Sequence, residues 1–97
     1  MIRNFQSKTA QDIYDGVNSR YARKIPAELH RKCQRLFDQL NAATRVETLN
    51  VPPSNRLEKL SGTLKGYWSI RVNKQWRVIF QWEDGEPLNV DVLDYHK

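Results

Sequence analysis

The chain predicts an α+β fold: a short N-terminal strand, two helices, and then an antiparallel three-stranded meander. Three observations predict it. Leu29, Cys33, Leu36, Phe37, Leu40 and Ala43 recur at three- and four-residue spacing, which puts them on one stripe of a long helix. Beyond Gly66 the apolar period drops to two. Turn-forming residues separate the alternating runs. At 97 residues the chain has length for one domain, spanning 1–97, and a modest core.

In order, Ile2 to Phe5 reads as the opening strand. Thr9 followed by Asp12 resembles a capped helix start, with Asp in place of the usual Glu, and Gly16 is a natural stop. Pro26 suits a first helical position and Glu28 favours the N-terminal end of the dipole, so the long helix is expected from there. Cys33 falls on its buried stripe and reads as a small core residue, not a nucleophile. Pro52-Pro53 ends the helical region, and Gly62 and Gly66 bracket a loop.

Three alternating runs follow. Trp68, Ile70 and Val72 form the inner row of the first; Trp76, Val78, Phe80 and Trp82 that of the second; Leu88, Val90 and Val92 that of the third. Glu83-Asp84-Gly85-Glu86-Pro87 reads as a hairpin turn. Between the first two runs, a three-residue loop at Asn73, Lys74 and Gln75 pairs Val72 with Trp76 and Arg71 with Arg77. A two-residue loop would set Arg71 opposite Trp76 and mix the buried and exposed faces, so the odd loop is expected. Arg71 and Arg77 then lie side by side away from the helices. Like charges directly opposite cost stability, and an anionic ligand between them removes that cost.

Charge points to a polyanionic partner. Sixteen Lys and Arg against eleven acids give a formal +5. Arg20, Arg23, Lys24, Arg31, Lys32 and Arg35 form one basic block; Arg56, Lys59, Lys65, Arg71, Lys74 and Arg77 form a second, broken only by Glu58. No apolar run reaches membrane-spanning length, the N-terminus lacks the apolar core of a signal peptide, and Cys33 has no internal disulfide partner. The expectation is a cytoplasmic protein that does not engage membrane. Two separated histidines and one buried-stripe cysteine make no metal ligand set, and no cofactor is implied.

The last residues carry proton chemistry. Asp94-Tyr95-His96 places a carboxylate, a phenol and an imidazole in succession. Cleaving an RNA backbone needs a base for the ribose 2′-hydroxyl, an acid for the departing 5′-oxygen, a cation for the phosphate, and a held geometry. Arg77 suits the phosphate clamp. His96 titrates near neutrality. Asp94 suits the base or the orienting group, Glu58 is a second candidate base, and Tyr95 offers an aromatic face and a hydroxyl.

Taken together, Arg56-Leu57-Glu58-Lys59-Leu60-Ser61-Gly62, Gly66-Tyr67-Trp68-Ser69-Ile70-Arg71-Val72-Asn73, Gln75-Trp76-Arg77-Val78-Ile79-Phe80 and Asp94-Tyr95-His96 resemble the HigB-type toxins of the RelE/ParE superfamily. The opening Met1 to Phe5 and the Ala42-Ala43-Thr44 that ends the long helix fit as well. Some members read Leu-His-Pro-Leu-Lys-Gly where this chain has Leu57 to Gly62; the Leu57-Glu58 here is similar to another branch. The resemblance implies a ribosome-dependent messenger-RNA endonuclease that slows growth by inhibiting translation, with Asp94, Tyr95, His96 and Arg77 in its active site. It implies that Arg56, Lys59, Lys65, Arg71 and Lys74 form the RNA- and ribosome-facing surface. It also implies a HigA-like helix-turn-helix antitoxin, through which alone the pair contacts operator DNA. The alternatives on the same fold are a ParE-like DNA gyrase poison and a catalytically weak module that binds RNA or antitoxin.

Overall fold

The structure is a computed structural model that describes residues 1–95; His96 and Lys97 lie outside the described residues, and with them the expected catalytic imidazole. Two helices, α1 (Lys8–Asp15) and α2 (His30–Ala42), pack on one face of a four-stranded antiparallel sheet of order β1-β2-β3-β4. The strands are β1 (Glu58–Lys59), β2 (Trp68–Arg71), β3 (Trp76–Glu83) and β4 (Glu86–Asp94). The α+β class is as the sequence predicts. β1 is additional: its two residues lie between Pro53 and Gly62, where the sequence predicts no element, and pair Glu58 with Ser69 and Lys59 with Trp68.

The N-terminal segment is less regular than expected. Ile2 to Phe5 runs parallel to β4 with a single bridge, Phe5 to Val90, plus backbone bonds from Arg3 to Pro87 and from Val90 to Asn4. Side chains hold it down: Arg3 reaches Glu83 and Glu86 at 2.9 and 3.0 Å. Phe5 packs edge-on to Phe37.

Helix α1 begins at Ser7, not Thr9. The Ser7 hydroxyl accepts from the Ala10 amide (3.1 Å) and donates to Asp91 (2.6 Å), capping the helix and tying it to β4 at once. Gly16 ends α1 with φ +73°, as its position predicts. Asp12 does no capping. It is buried, accepting from Ser19 (2.6 Å) and pairing with Lys8 (3.0 Å). These bonds hold its carboxyl below the ordinary carboxylate range, Ser19 contributing most and Lys8 next. A lowered folded-state pKa stabilises the protein above the ordinary carboxylate pKa of about 3.9 and stops doing so as pH falls through the lowered value. Asp12→Asn is therefore expected to lower stability to denaturant at pH 7, with the gap to wild type closing toward pH 3. A gap of the same size at both pH values would assign the loss to packing.

Pro26 caps a short 3₁₀ turn, Ala27–Leu29, from which α2 continues at His30. The apolar stripe is as expected: Cys33, Leu36, Phe37, Leu40 and Ala43 are buried in one core with Ile70, Val72, Val78, Phe80, Val90 and Val92 of the sheet. Burial raises the Cys33 thiol to about 11, which keeps it protonated and inert.

β4 departs from the predicted alternation. Asp91 pairs with Ile79 but Leu88 pairs with Gln81, so β4 carries one extra residue, and Asn89 sits in the left-handed region with φ 51°. This bulge shifts the phase: Pro87 is buried, whereas Leu88, expected inward, lies opposite Gln81 and outside the core cluster. The two-residue turn between β3 and β4 is Asp84-Gly85, both left-handed, as an Asp-Gly hairpin requires.

Candidate active site

The β2–β3 hairpin positions the site. Asn73 accepts at its side-chain oxygen from the amides of Gln75 and Trp76, both at 2.8 Å, and so closes the three-residue loop. The register follows as expected: Arg71 opposes Arg77, and Ile70 opposes Val78. Ile70 and Val78 face the helices, so the two arginines face away from them.

Arg77 is not the solvated strand residue that this placement suggests. Its side chain retains 10% exposure. It reaches across the sheet, where Nη1 pairs with Glu58 (3.1 Å) and Nη2 donates to the Arg56 carbonyl (2.7 Å). Its Cζ lies 5.4 Å from the centre of the Tyr95 ring, over the ring face. Nε has no acceptor among the described residues and is buried. Burial pushes the guanidinium pKa down from its usual value; Glu58 and Tyr95 act against that, and the neighbouring Arg71 and Arg56 add to it. An arginine stays charged under such pressure, so the result is a fixed, poorly hydrated cation.

Around it opens a cleft of about 220 Å³ lined by Arg56, Arg71, Asn73, Lys74, Arg77 and Tyr95. Arg56 is in the left-handed region with φ 48°, an uncommon conformation for a non-glycine residue. That conformation ends the 3₁₀ turn Pro53–Asn55 and aims the Arg56 carbonyl at Arg77. The turn is anchored by Asn55, buried and donating to Leu49 and Gln39. Sequence inspection did not single out Asn55, whose signal was its place two residues after Pro53, and it read Asn73 only as the first residue of the loop.

The expected site residues do not all converge. Glu58, Arg56, Arg71, Lys74, Arg77 and Tyr95 do. Asp94 does not line the cleft: it pairs with Trp76, on the row that faces the helices, and accepts from Gln75 at 3.0 Å. Strand alternation thus separates Asp94 from its neighbour Tyr95, which lies on Arg77. Lys59 also belongs to the other row, its Nζ 5.2 Å from the Trp68 ring centre. Lys65 is exposed on the loop before β2.

Such a cleft offers a buried guanidinium fork, further cations and an aromatic face, with the Glu58 carboxylate bonded to the fork. A fork and cations so placed match the chemistry of an anionic oxygen group. Comparison with known proteins places the chain in a family. The model of HigB-like toxins, described as RelE-like toxins of the type II toxin–antitoxin system HigB, matches residues 3–96. Toxin HigB-1 of Vibrio cholerae is 43% identical over 97 residues, covering 100% of this chain and 99% of that one. Endoribonuclease HigB of Proteus vulgaris is 31% identical over 97 residues, covering 99% of this chain and all of its own. Among solved structures, a chain of the YoeB–YefM complex from Staphylococcus aureus superposes with TM-score 0.59 at 21% identity, over 100% of this chain and 97% of that one. The YoeB dimer from the same organism gives 0.57 at 22%, over 99% and 95%. These last two are likenesses of fold. By the match along nearly its whole length and by both relatives, the chain belongs to the HigB-like toxin family of type II toxin–antitoxin systems.

Proposed function

We propose that this protein is an endoribonuclease toxin that cuts messenger RNA on the ribosome by acid–base chemistry, without metal, and so inhibits translation. The observation that carries the reading is the buried Arg77 fork, held by the Arg56 carbonyl and Glu58 at the floor of a cationic cleft. A guanidinium fixed in this way stabilises charge on a phosphate as it develops, with no reorganisation at the moment of reaction. Arg71, Lys74 and Arg56 hold the flanking backbone, and Tyr95 supplies a surface for a base beside the scissile phosphate.

Glu58 is favoured over Asp94 as the general base, because Glu58 contacts the phosphate clamp while Asp94 occupies the opposite row of the sheet. Asp94 then acts as a positioning residue, holding Gln75 at the end of the hairpin. His96 follows Tyr95 directly in sequence and is the assigned acid. Lys59 and Lys65 lie beyond the cleft and serve contacts to the ribosome. A HigA-like antitoxin restrains the toxin and alone brings it to operator DNA; the YoeB–YefM complex, on the same fold, supports a proteinaceous partner. No helix among the described residues is long and apolar enough to cross a membrane, and the proposed site of action is the cytoplasm.

The test is cleavage of a defined messenger RNA with and without 70S ribosomes, by wild type and by His96→Ala. Cuts within the reading frame that need ribosomes and fall by two or more orders of magnitude in the variant are expected. Growth arrest without cuts under any condition would point to the gyrase-poison reading.

A further inference from the structure

We propose that Glu58 is the resident occupant of the phosphate position in the cleft, so that RNA binds by exchange: an incoming phosphate displaces this carboxylate from Arg77. The inference rests on the reading of the cleft as a phosphate site, and not on the cleavage that follows.

Arg77 has limited capacity for a new anion. Nη1 is taken by Glu58 at 3.1 Å and Nη2 by the Arg56 carbonyl at 2.7 Å, leaving Nε buried without an acceptor among the described residues. Each terminal nitrogen carries two N–H groups, but with Nε buried a phosphate that grips the fork with two oxygens uses the Nη1–Nη2 edge, and there it meets Glu58. Of the two present partners, the carboxylate is the one that can leave. The Arg56 carbonyl is backbone, in a turn anchored by buried Asn55. The Glu58 side chain is 53% exposed, whereas that of Arg77 is 10% exposed. Glu58 also sits on a two-residue edge strand, the shortest in the sheet, and its side chain can turn off Arg77 at small cost while staying beside the phosphate that replaces it.

The charge pattern says why a carboxylate is there at all. Arg71 directly opposes Arg77, and Arg56 and Lys74 line the same cleft. The sheet solves the same problem with opposite sign at its far end, where Glu83 opposes Glu86 and Arg3 contacts both, with Asp84 3.8 Å away. That counter-ion grips several carboxylates and is structural. Glu58 bonds a single arginine and leaves a cationic excess, so it restrains the free cleft without satisfying it.

The probe is a 2′-O-methylated RNA hexanucleotide, which carries phosphates and bases but lacks the nucleophile. Its affinity is measured at low salt for wild type, Glu58→Gln and Glu83→Gln, all checked for folding by thermal melting. Glu58→Gln is expected to bind about three- to tenfold tighter, as removal of a competing half-exposed ion pair implies. Glu83→Gln changes the net charge equally but lies away from the cleft, and is expected to bind as wild type does. Unchanged or weaker binding by Glu58→Gln, or an equal gain in Glu83→Gln, overturns the exchange. Cleavage of the unmodified messenger RNA by wild type is scored separately. Tighter binding by Glu58→Gln with no wild-type cleavage would leave the exchange standing and remove the nuclease reading. Cleavage without tighter binding would do the reverse.

Discussion

Replacement of Arg77 by alanine is expected to reduce ribosome-dependent cleavage by about 10²- to 10³-fold, the usual loss when one preorganised donor to a developing oxyanion is removed. The expected loss of stability is small by comparison. Glu58 is half exposed and is rehydrated when its partner goes, so the remaining damage is one unmet carbonyl at Arg56 and a small cavity. One lost hydrogen bond costs about 1 kcal/mol, and relief of the Arg71–Arg77 repulsion offsets part of it. Arg77→Lys sharpens the test. A lysine keeps the charge but is a point donor, unable to serve the Arg56 carbonyl and a phosphate from one rigid plane. It is expected to recover the melting temperature and little of the activity. Cleavage kinetics beside thermal melts decide the matter: a lysine variant close to wild type in rate would show that charge alone suffices.

The largest effect on stability is expected at Phe37. It is fully buried on the inner face of α2, with the Phe5 ring centre 5.3 Å away and that of Tyr14 6.1 Å away, both edge-on. Phe5 and Tyr14 also contact each other at 5.0 Å. Phe37→Ala therefore removes a core side chain and the surface against which the N-terminal segment docks. Deleting a buried phenylalanine costs about 3–5 kcal/mol. That is a large share of the roughly 5–15 kcal/mol available to a domain of this size. The melting temperature is expected to fall by more than about 10 °C. Phe37→Leu, which keeps most of the volume, is expected to lose much less. Denaturant unfolding of both variants checks this, and a loss under about 1 kcal/mol for the alanine would mean that the core closes over the gap.

Much of the architecture was legible because it depends on local periodicity. The stripe from Leu29 to Ala43 and the inner rows of β2 and β3 needed only spacings of 3.6 and 2, and the core confirms both. The pairing of Arg71 with Arg77 followed from the same logic, since one slip would have buried an arginine row. The failures have the opposite cause. Ser7 caps α1 in place of Thr9 because its hydroxyl also reaches Asp91, distant in sequence. Leu88 loses its inward place to a bulge at Asn89, where one left-handed residue changes the phase of everything before it. β1 is two residues long and has no period to detect.

The sequence by itself determined the fold class, the hairpin register, the basic character of the second half of the chain and membership in a family of toxins, because these rest on spacing, composition and motif. Only the tertiary structure decided which charged groups lie together. It moved Glu58 onto Arg77 through an edge strand, set the Arg56 carbonyl beneath the guanidinium, laid Tyr95 over it and left Asp94 on the other row. Those contacts join residues 18 to 21 positions apart, and their geometry depends on how strands of a sheet cross and on which face each residue takes. A list of charged residues in order carries no such distances.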